Sequence, residues 1–289
     1  RLFRKIAPLV LVLNLISCLT FIALPHLAST TPNLFIGATL LWVLSASVLR
    51  APLYGLIAQR SAEPGRGTAS ALLGMGLASA AAPYLGVAFK GIDPLLPFTL
   101  AGISLALATL GFSAWEAAQS NPAPGARPQR QRRIGRLAAI AVLLGLGFQT
   151  HVFLNSAPLF KHAADPTLLP WLMPVFWIGF SLAVYPGAGL VEKHGAGRVL
   201  GGAALTGTLA SLACLTSPTL PWLIGIQAIA GAAWGGAFLA GLSLAGAWGH
   251  VGREALFVGT IFACLALAAI GRIGLNLIGL PPEASLPMA

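Results

Sequence analysis

Nine stretches of this chain, near residues 6–24, 34–57, 68–89, 94–115, 137–157, 168–191, 199–216, 221–247 and 254–277, are apolar with few polar interruptions. Each holds about 20 residues, the length an α-helix needs to cross the hydrocarbon core of a bilayer. Lipid offers no partner to backbone N–H and C=O groups, so each stretch is read as a helix that closes its own hydrogen bonds. Only 8% of the 289 residues are charged and 57% are hydrophobic, whereas a soluble domain carries about 25% charged residues. The expected fold is an all-α integral membrane protein with nine transmembrane helices. The opening RLFRK and its apolar run look like a secretory signal, but a run of about 19 residues exceeds the usual 7–15 and reads as a true span. The chain starts at Arg1 rather than methionine, and it is expected to be a fragment truncated at both ends.

Basic residues alternate with the spans. Arg1, Arg4, Lys5, Arg60, Arg66, Arg127, Arg130, Arg132, Arg133, Arg136, Lys193, Arg198 and Arg253 fall on one side, Lys90 and Lys161 on the other, and Arg50 and Arg272 within spans. Lys and Arg near span ends are retained in the cytoplasm, so the N-terminal end of the chain and residues 119–136 are expected to be cytoplasmic. That last segment, QSNPAPGARPQRQRRIGR, carries five arginines among proline, glycine and glutamine. It cannot bury enough apolar surface to fold and reads as a linker between a four-span bundle, 1–118, and a five-span bundle, 137–289. Residues 127–136 are also a candidate contact for anionic lipid head groups; nucleic acid is not expected. Cys18, Cys214 and Cys264 lie inside spans without CxxC spacing and read as packing residues, with no metal or redox role.

A weak repeat links the two bundles. Gly65-Arg66 before the third span recurs as Gly252-Arg253 before the ninth, 187 positions later, and Ile36-Gly37 recurs as Ile224-Gly225 at 188. An even number of spans separates each pair, so the repeats run in the same direction across the membrane. Continued at this offset, the repeat gives two six-span halves lacking two spans at the front and one at the back. This layout resembles the major facilitator superfamily of transporters, with the nine spans similar to the third to eleventh of its usual twelve helices.

Two motifs carry the resemblance further. Between the sixth and seventh spans, AGLVEKHGAGR matches the superfamily's signature loop at Leu190, Glu192, Lys193, Gly195 and Arg198, with Ala188 and Ala196 departing from it. The resemblance implies that the acid caps neighbouring helix ends and holds an inner gate, as a negative charge near helix N-termini does. In the third span, Ala78, Ala82, Pro83 and Gly86 resemble the antiporter motif of many exporters, with Val87 departing. Gly74, Ala78, Ala82 and Gly86 are four apart, which predicts a smooth ridge for close helix approach, and Pro83 predicts a bend.

Polar residues inside spans are functional candidates by default. Arg50 lies about 24 Å from the outer end of its span at 1.5 Å per residue, and Tyr54 follows one turn later on the same face. The resemblance places both on a substrate cavity, although the related arginine motif wants glycine four residues on and Gly55 is five on. In FQTHVFLNSA, His151 and Asn155 share a face; they are candidates for substrate, or for a histidine bonded across to another helix. Gln227 and Trp234, two turns apart, are the remaining cavity candidates. All seven acids fall in loops or at span ends, so His151, which titrates near neutral pH, is the proton-carrying candidate within the chain. The resemblance implies a monomeric secondary transporter of a bacterial inner membrane, exporting small molecules against a proton gradient by alternating access, without a cofactor. Uptake by symport is the nearest alternative. A non-transporting remnant follows next, and an integral-membrane enzyme last, since the five histidines are scattered.

Overall fold

The computed structural model describes residues 6–61, 63–89, 91–93, 95–118, 133–214, 216, 219–249 and 253–277. They form α1 (Ile6–Thr30), α2 (Pro32–Arg60), α3 (Pro64–Phe89), α4 (Leu96–Ala118) and α5 (Ile134–Gln149), which runs through a π-turn (Thr150–Asn155) into α6 (Ser156–Ala163). A 3₁₀ turn (Pro166–Leu168) and the single turn α7 (Leu169–Leu172) lead into α8 (Pro174–His194), followed by α9 (Ala196–Ala213), α10 (Leu220–Gly249) and α11 (Glu254–Leu277). Taking α5 with α6 and α7 with α8, nine helical rods among the described residues stand where nine spans are expected. Seven are long and apolar enough to cross a membrane. The fourth falls short because its apolar stretch is Leu96–Gly111; α9, which carries Arg198 in its first turn and holds four glycines, is the other.

The rods overrun the expected spans. Prolines begin α2, α3 and α8, where a missing N–H costs nothing and φ is preset for the helix. At the linker, helix starts at Ile134, so Ile134–Arg136 belong to α5; residues 119–132, Arg127, Arg130 and Arg132 included, lie outside the described residues. Hydroxyls within the rods return to their own backbone, as in Thr109 to Leu105 O at 2.8 Å and Ser181 to Trp177 O at 2.8 Å, which satisfies them where water is absent. Leu143, Leu182 and Leu205 are 70%, 72% and 61% exposed, as side chains solvated by lipid are.

α8 packs most extensively on α10, and α9 lies along α10. The approach of α8 to α10 is set by glycine. A Cβ on Gly179 would strike the carbonyl of Ala228, one on Gly231 the carbonyl oxygen of Phe176, and one on Gly235 would lie 2.8 Å from Phe180 O. The two halves of the chain, taken simply as the helices before and after residues 119–132, meet along α3 with α8 and α2 with α11, while α1 packs on α2 and α4. Gly55 is the close point of the α2–α11 seam, 3.3 Å from Ala255 Cβ by its would-be Cβ. One core runs through both halves, including Tyr54 and Leu72 with Phe180, Leu239, Phe257 and Phe262.

The connection between α6 and α7 is capped by Asp165, whose Oδ1 accepts from Thr167 N at 2.8 Å and from the Thr167 hydroxyl at 2.7 Å. These bonds hold the carboxyl below its ordinary range. A lowered folded pKa means the cap is complete above the ordinary carboxylate range and disappears as pH falls through that lowered value. Asp165→Ala should speed amide exchange at Thr167 and Leu168 at neutral pH and remove its acid dependence; identical exchange in the two proteins would contradict the cap.

Candidate functional site

The π-turn in the fifth rod builds the site. Gln149, Thr150, His151, Asn155 and Ser156 interrupt an apolar run, and all five are buried. An α-helix would spread them around its circumference, but one i→i+5 turn widens the helix locally and the backbone N–H of Ser156 bonds to His151 O. The Ser156 hydroxyl donates to the same carbonyl at 2.8 Å and lies 3.3 Å from Gln227 Oε1.

His151 is thereby aimed at two other helices. Its Nε2 is 3.2 Å from Gln227 Oε1 on α10, and its Nδ1 is 3.3 Å from Ser211 Oγ on α9. An amide oxygen only accepts, so in this arrangement Nε2 carries the proton and Nδ1 accepts from the Ser211 hydroxyl. Gln227 is 1% exposed, and its Nε2, like Gln149 Oε1, is buried without a partner among the described residues. A buried donor left unpaired costs about 1–3 kcal/mol, and this amide lies behind His151 rather than on an open surface.

The His151 ring opens on a cavity of about 260 Å³ between α5, α9 and α10, closed on one side by Phe176 of α8. Phe148, Trp234, Thr208 and Ser211 also line it. Phe148 stacks on Trp234 at 4.4 Å, and Trp234 on Phe238 at 5.4 Å. No charged side chain is among the lining residues. The volume falls just under the roughly 300–1,000 Å³ of drug-sized pockets, and the walls suit a small, neutral, partly aromatic molecule.

The expected cavity set therefore divides. His151 and Trp234 line the cavity, Gln227 is bonded to His151 behind it, and Asn155 is buried one turn past His151. The histidine is bonded across to other helices, the second of the two readings its sequence context allows, and it faces the cavity as well. Arg50 and Tyr54 do not line this space. Tyr54 is buried with its ring 5.4 Å from that of Phe262 in the seam between halves, and Arg50, one turn earlier, is exposed. Ser156, Ser211, Phe148 and Phe176 are additions that sequence reasoning missed. The visible signal for Ser156 was its place in the same polar cluster, five residues after His151.

The ridge on α3 is displaced. Gly74, Ala78, Ala82 and Gly86 are exposed, and a Cβ on Gly74 or Gly86 would meet nothing within 4 Å. The face that approaches another helix is Leu72, Gly76 and Ala80, where a Cβ on Gly76 would strike Ser181 Oγ and lie 2.7 Å from Phe180 Cδ1. Two residues turn a helix by about 200°, so four-residue spacing picked the opposite side. Helix α3 continues through the half-buried Pro83 to Phe89.

The α8–α9 connection is one residue, Gly195, at φ +83°. That left-handed conformation is disfavoured for residues with a Cβ, and it lets two helices follow each other directly. Glu192 is exposed, with Oε1 3.8 Å from the would-be Cβ of Gly65 in the first turn of α3. An acid thus stands at the positive end of a helix in the other half, where a carboxylate is stabilised by about 0.3–1 kcal/mol. Leu190, Lys193 and Arg198 are exposed around the same turn.

The seven rods long and apolar enough to cross a membrane, with leucines exposed on their surfaces, define a multi-pass membrane protein. No family model matches the chain, and no curated protein matches it. A crystal structure of the E. coli fucose:proton symporter, FucP, is similar at a TM-score of 0.62 and 13% identity, over 96% of this chain and 79% of that one. The likeness shows that the chain has a fold of the major facilitator type.

Proposed function

We propose that the protein is a secondary active transporter of small neutral molecules that works by alternating access. The observation that carries this reading is the buried His151–Gln227–Ser211 network on the wall of an aromatic cavity, set in a fold of the major facilitator type. His151 is the coupling group. Glu63, Asp93, Glu116, Asp165, Glu192 and Glu254, the acids of the described residues, sit at helix ends or in connections, whereas His151 lies inside a rod. The imidazole holds one proton on Nε2 and accepts the Ser211 hydroxyl at an unprotonated Nδ1, and protonation there would turn the Ser211 bond from accepted to donated.

Proton-driven export from a bacterial inner membrane, with residues 119–136 in the cytoplasm, is the direction the Pro83 motif and the distribution of arginines favour. Symport is the second reading, favoured by the proton symport of FucP. The chain is proposed to act as a monomer without a cofactor.

Proteoliposomes carrying an imposed pH gradient separate these readings. With a panel of neutral aromatic dyes, the intact chain should move dye against an opposing proton flux if it exports, and with the proton flux if it imports. His151→Gln should retain dye-induced quenching of Trp234 fluorescence but lose gradient-driven transport at least about tenfold, the scale of a single coupling contact. Full gradient-driven transport by His151→Gln would remove His151 from the mechanism.

A further inference from the structure

A second cavity, of about 600 Å³, lies between α8, α9 and α10 on the side away from α5. Leu190 and His194 of α8, Arg198, Gly202 and Thr206 of α9, and Gly236 of α10 line it. Along α9 the lining positions recur at four-residue spacing, so they share one face, and Arg198 to Thr206 spans about 12 Å of helix. The space is a groove with a polar end and an apolar end. Its floor is glycine, alanine and one hydroxyl, while its mouth, beside the Gly195 turn, holds the Arg198 and His194 side chains.

Charge is distributed unevenly around that turn. Glu192 faces Gly65 of α3, on the far side of α8 from Leu190 and His194. Arg198 is exposed, and the ion pair found among the described residues joins Arg66 to Glu63 instead. No side chain caps the N-terminus of α9 and no acid lies in its first turn, so the positive end of the helix adds to the field of Arg198. An apolar channel that opens at a cationic rim beside the end of a membrane rod is complementary to an amphiphile with an anionic head.

We infer that this groove is a binding site for an anionic phospholipid, with the phosphate at Arg198 and His194 and one acyl chain along Gly202, Thr206 and Gly236. The lipid comes from the leaflet on the Gly195 side. It wedges between α8 and α9 at the connection that also presents Glu192 to the other half, so its head group sits within one helical turn of the contact that joins the halves.

Native mass spectrometry of the full chain in detergent, with palmitoyl-oleoyl phosphatidylglycerol or phosphatidylcholine added, tests the site. A basic residue near a membrane surface contributes about fivefold in anionic lipid binding, so phosphatidylglycerol should be retained about fivefold more than phosphatidylcholine, and Arg198→Gln should erase the difference. A Cβ on Gly202 meets nothing within 4 Å, so Gly202→Leu fills the channel while the protein keeps its size-exclusion profile, and it should lower retention of both lipids. Unchanged phosphatidylglycerol retention in both variants would overturn the assignment and move the lipid to the arginines of 127–136. Displacement of the lipid by millimolar inorganic phosphate would also overturn it, leaving an anion site with no use for the acyl chain.

Discussion

Gly231→Leu is expected to prevent the second half of the protein from assembling. The α8–α10 contact brings backbone against backbone, and the atoms a side chain at 231 would meet are Phe176 O, Phe176 C at 2.8 Å and Phe180 N at 3.0 Å. Overpacking against side chains costs about 1–3 kcal/mol because rotamers give way; a carbonyl in a helix has no such freedom without loss of its hydrogen bond. Gly231→Ala should therefore already cost about 3 kcal/mol, and the leucine variant should migrate as aggregate in fluorescence-detected size exclusion. Gly225 on the same helix is the control. Its Cβ would meet nothing within 4 Å, so Gly225→Ala should change stability by less than about 0.5 kcal/mol. Equal behaviour of the two alanine variants would show that the rods do not pack at this distance.

Gly76→Leu is expected to leave both halves folded and to drive them apart. Here the atoms in the way belong to the side chains of Phe180 and Ser181, which can move, but only by lifting α3 off α8. Above this contact Ser70 Oγ lies 2.6 Å from Tyr185 Oη, a bond between the halves that reports the separation. A cysteine pair at positions 70 and 185, in a background without Cys18, Cys214 and Cys264, should be bridged readily by a bifunctional thiol reagent whose spacer replaces the reach of the Tyr185 ring. Gly76→Leu should cut the yield about tenfold, as about 1.4 kcal/mol against the closed contact implies. Gly74→Leu, on the exposed face, should leave it unchanged. The reverse pattern would restore the Gly74–Gly86 ridge as the packing face, and substrate movement that persists in Gly76→Leu would show that closure along α3–α8 is no part of the cycle.

The rods were legible in the sequence because a bilayer admits few alternatives: about 20 apolar residues without charge must close their hydrogen bonds internally. Helix α9 was read from the apolar stretch 199–216, although the helix that forms there is not among the seven long and apolar enough to cross a membrane. Polar residues in an apolar run made His151 and Gln227 visible as candidates. Their pairing was not, because it depends on the rotation of α5 against α10, and that rotation is set by a π-turn whose composition matches any helix. Glycine misled for a related reason. With 34 glycines in the chain, four-residue spacing occurs on several faces, and only the opposing backbone distinguishes Gly76, Gly179 and Gly231 from Gly74 and Gly86. Arg272 reads as snorkelling near a span end, yet its guanidinium lies 4.8 Å from the Phe153 ring centroid, a cation–π contact across α11 and the π-turn that no spacing announces.

The π-turn holds one surplus residue, and a surplus residue has a mechanical meaning. Returning Thr150–Asn155 to α geometry would advance everything beyond it by one register step, turning Ser156–Ala163 by about 100° and shifting it by about 1.5 Å. Ser156 would then give up both of its bonds to the His151 carbonyl, and Lys161 and His162 at the end of α6 would face elsewhere. The fifth rod is therefore geared: the bonding of one buried carbonyl and the orientation of the span's far end are a single degree of freedom.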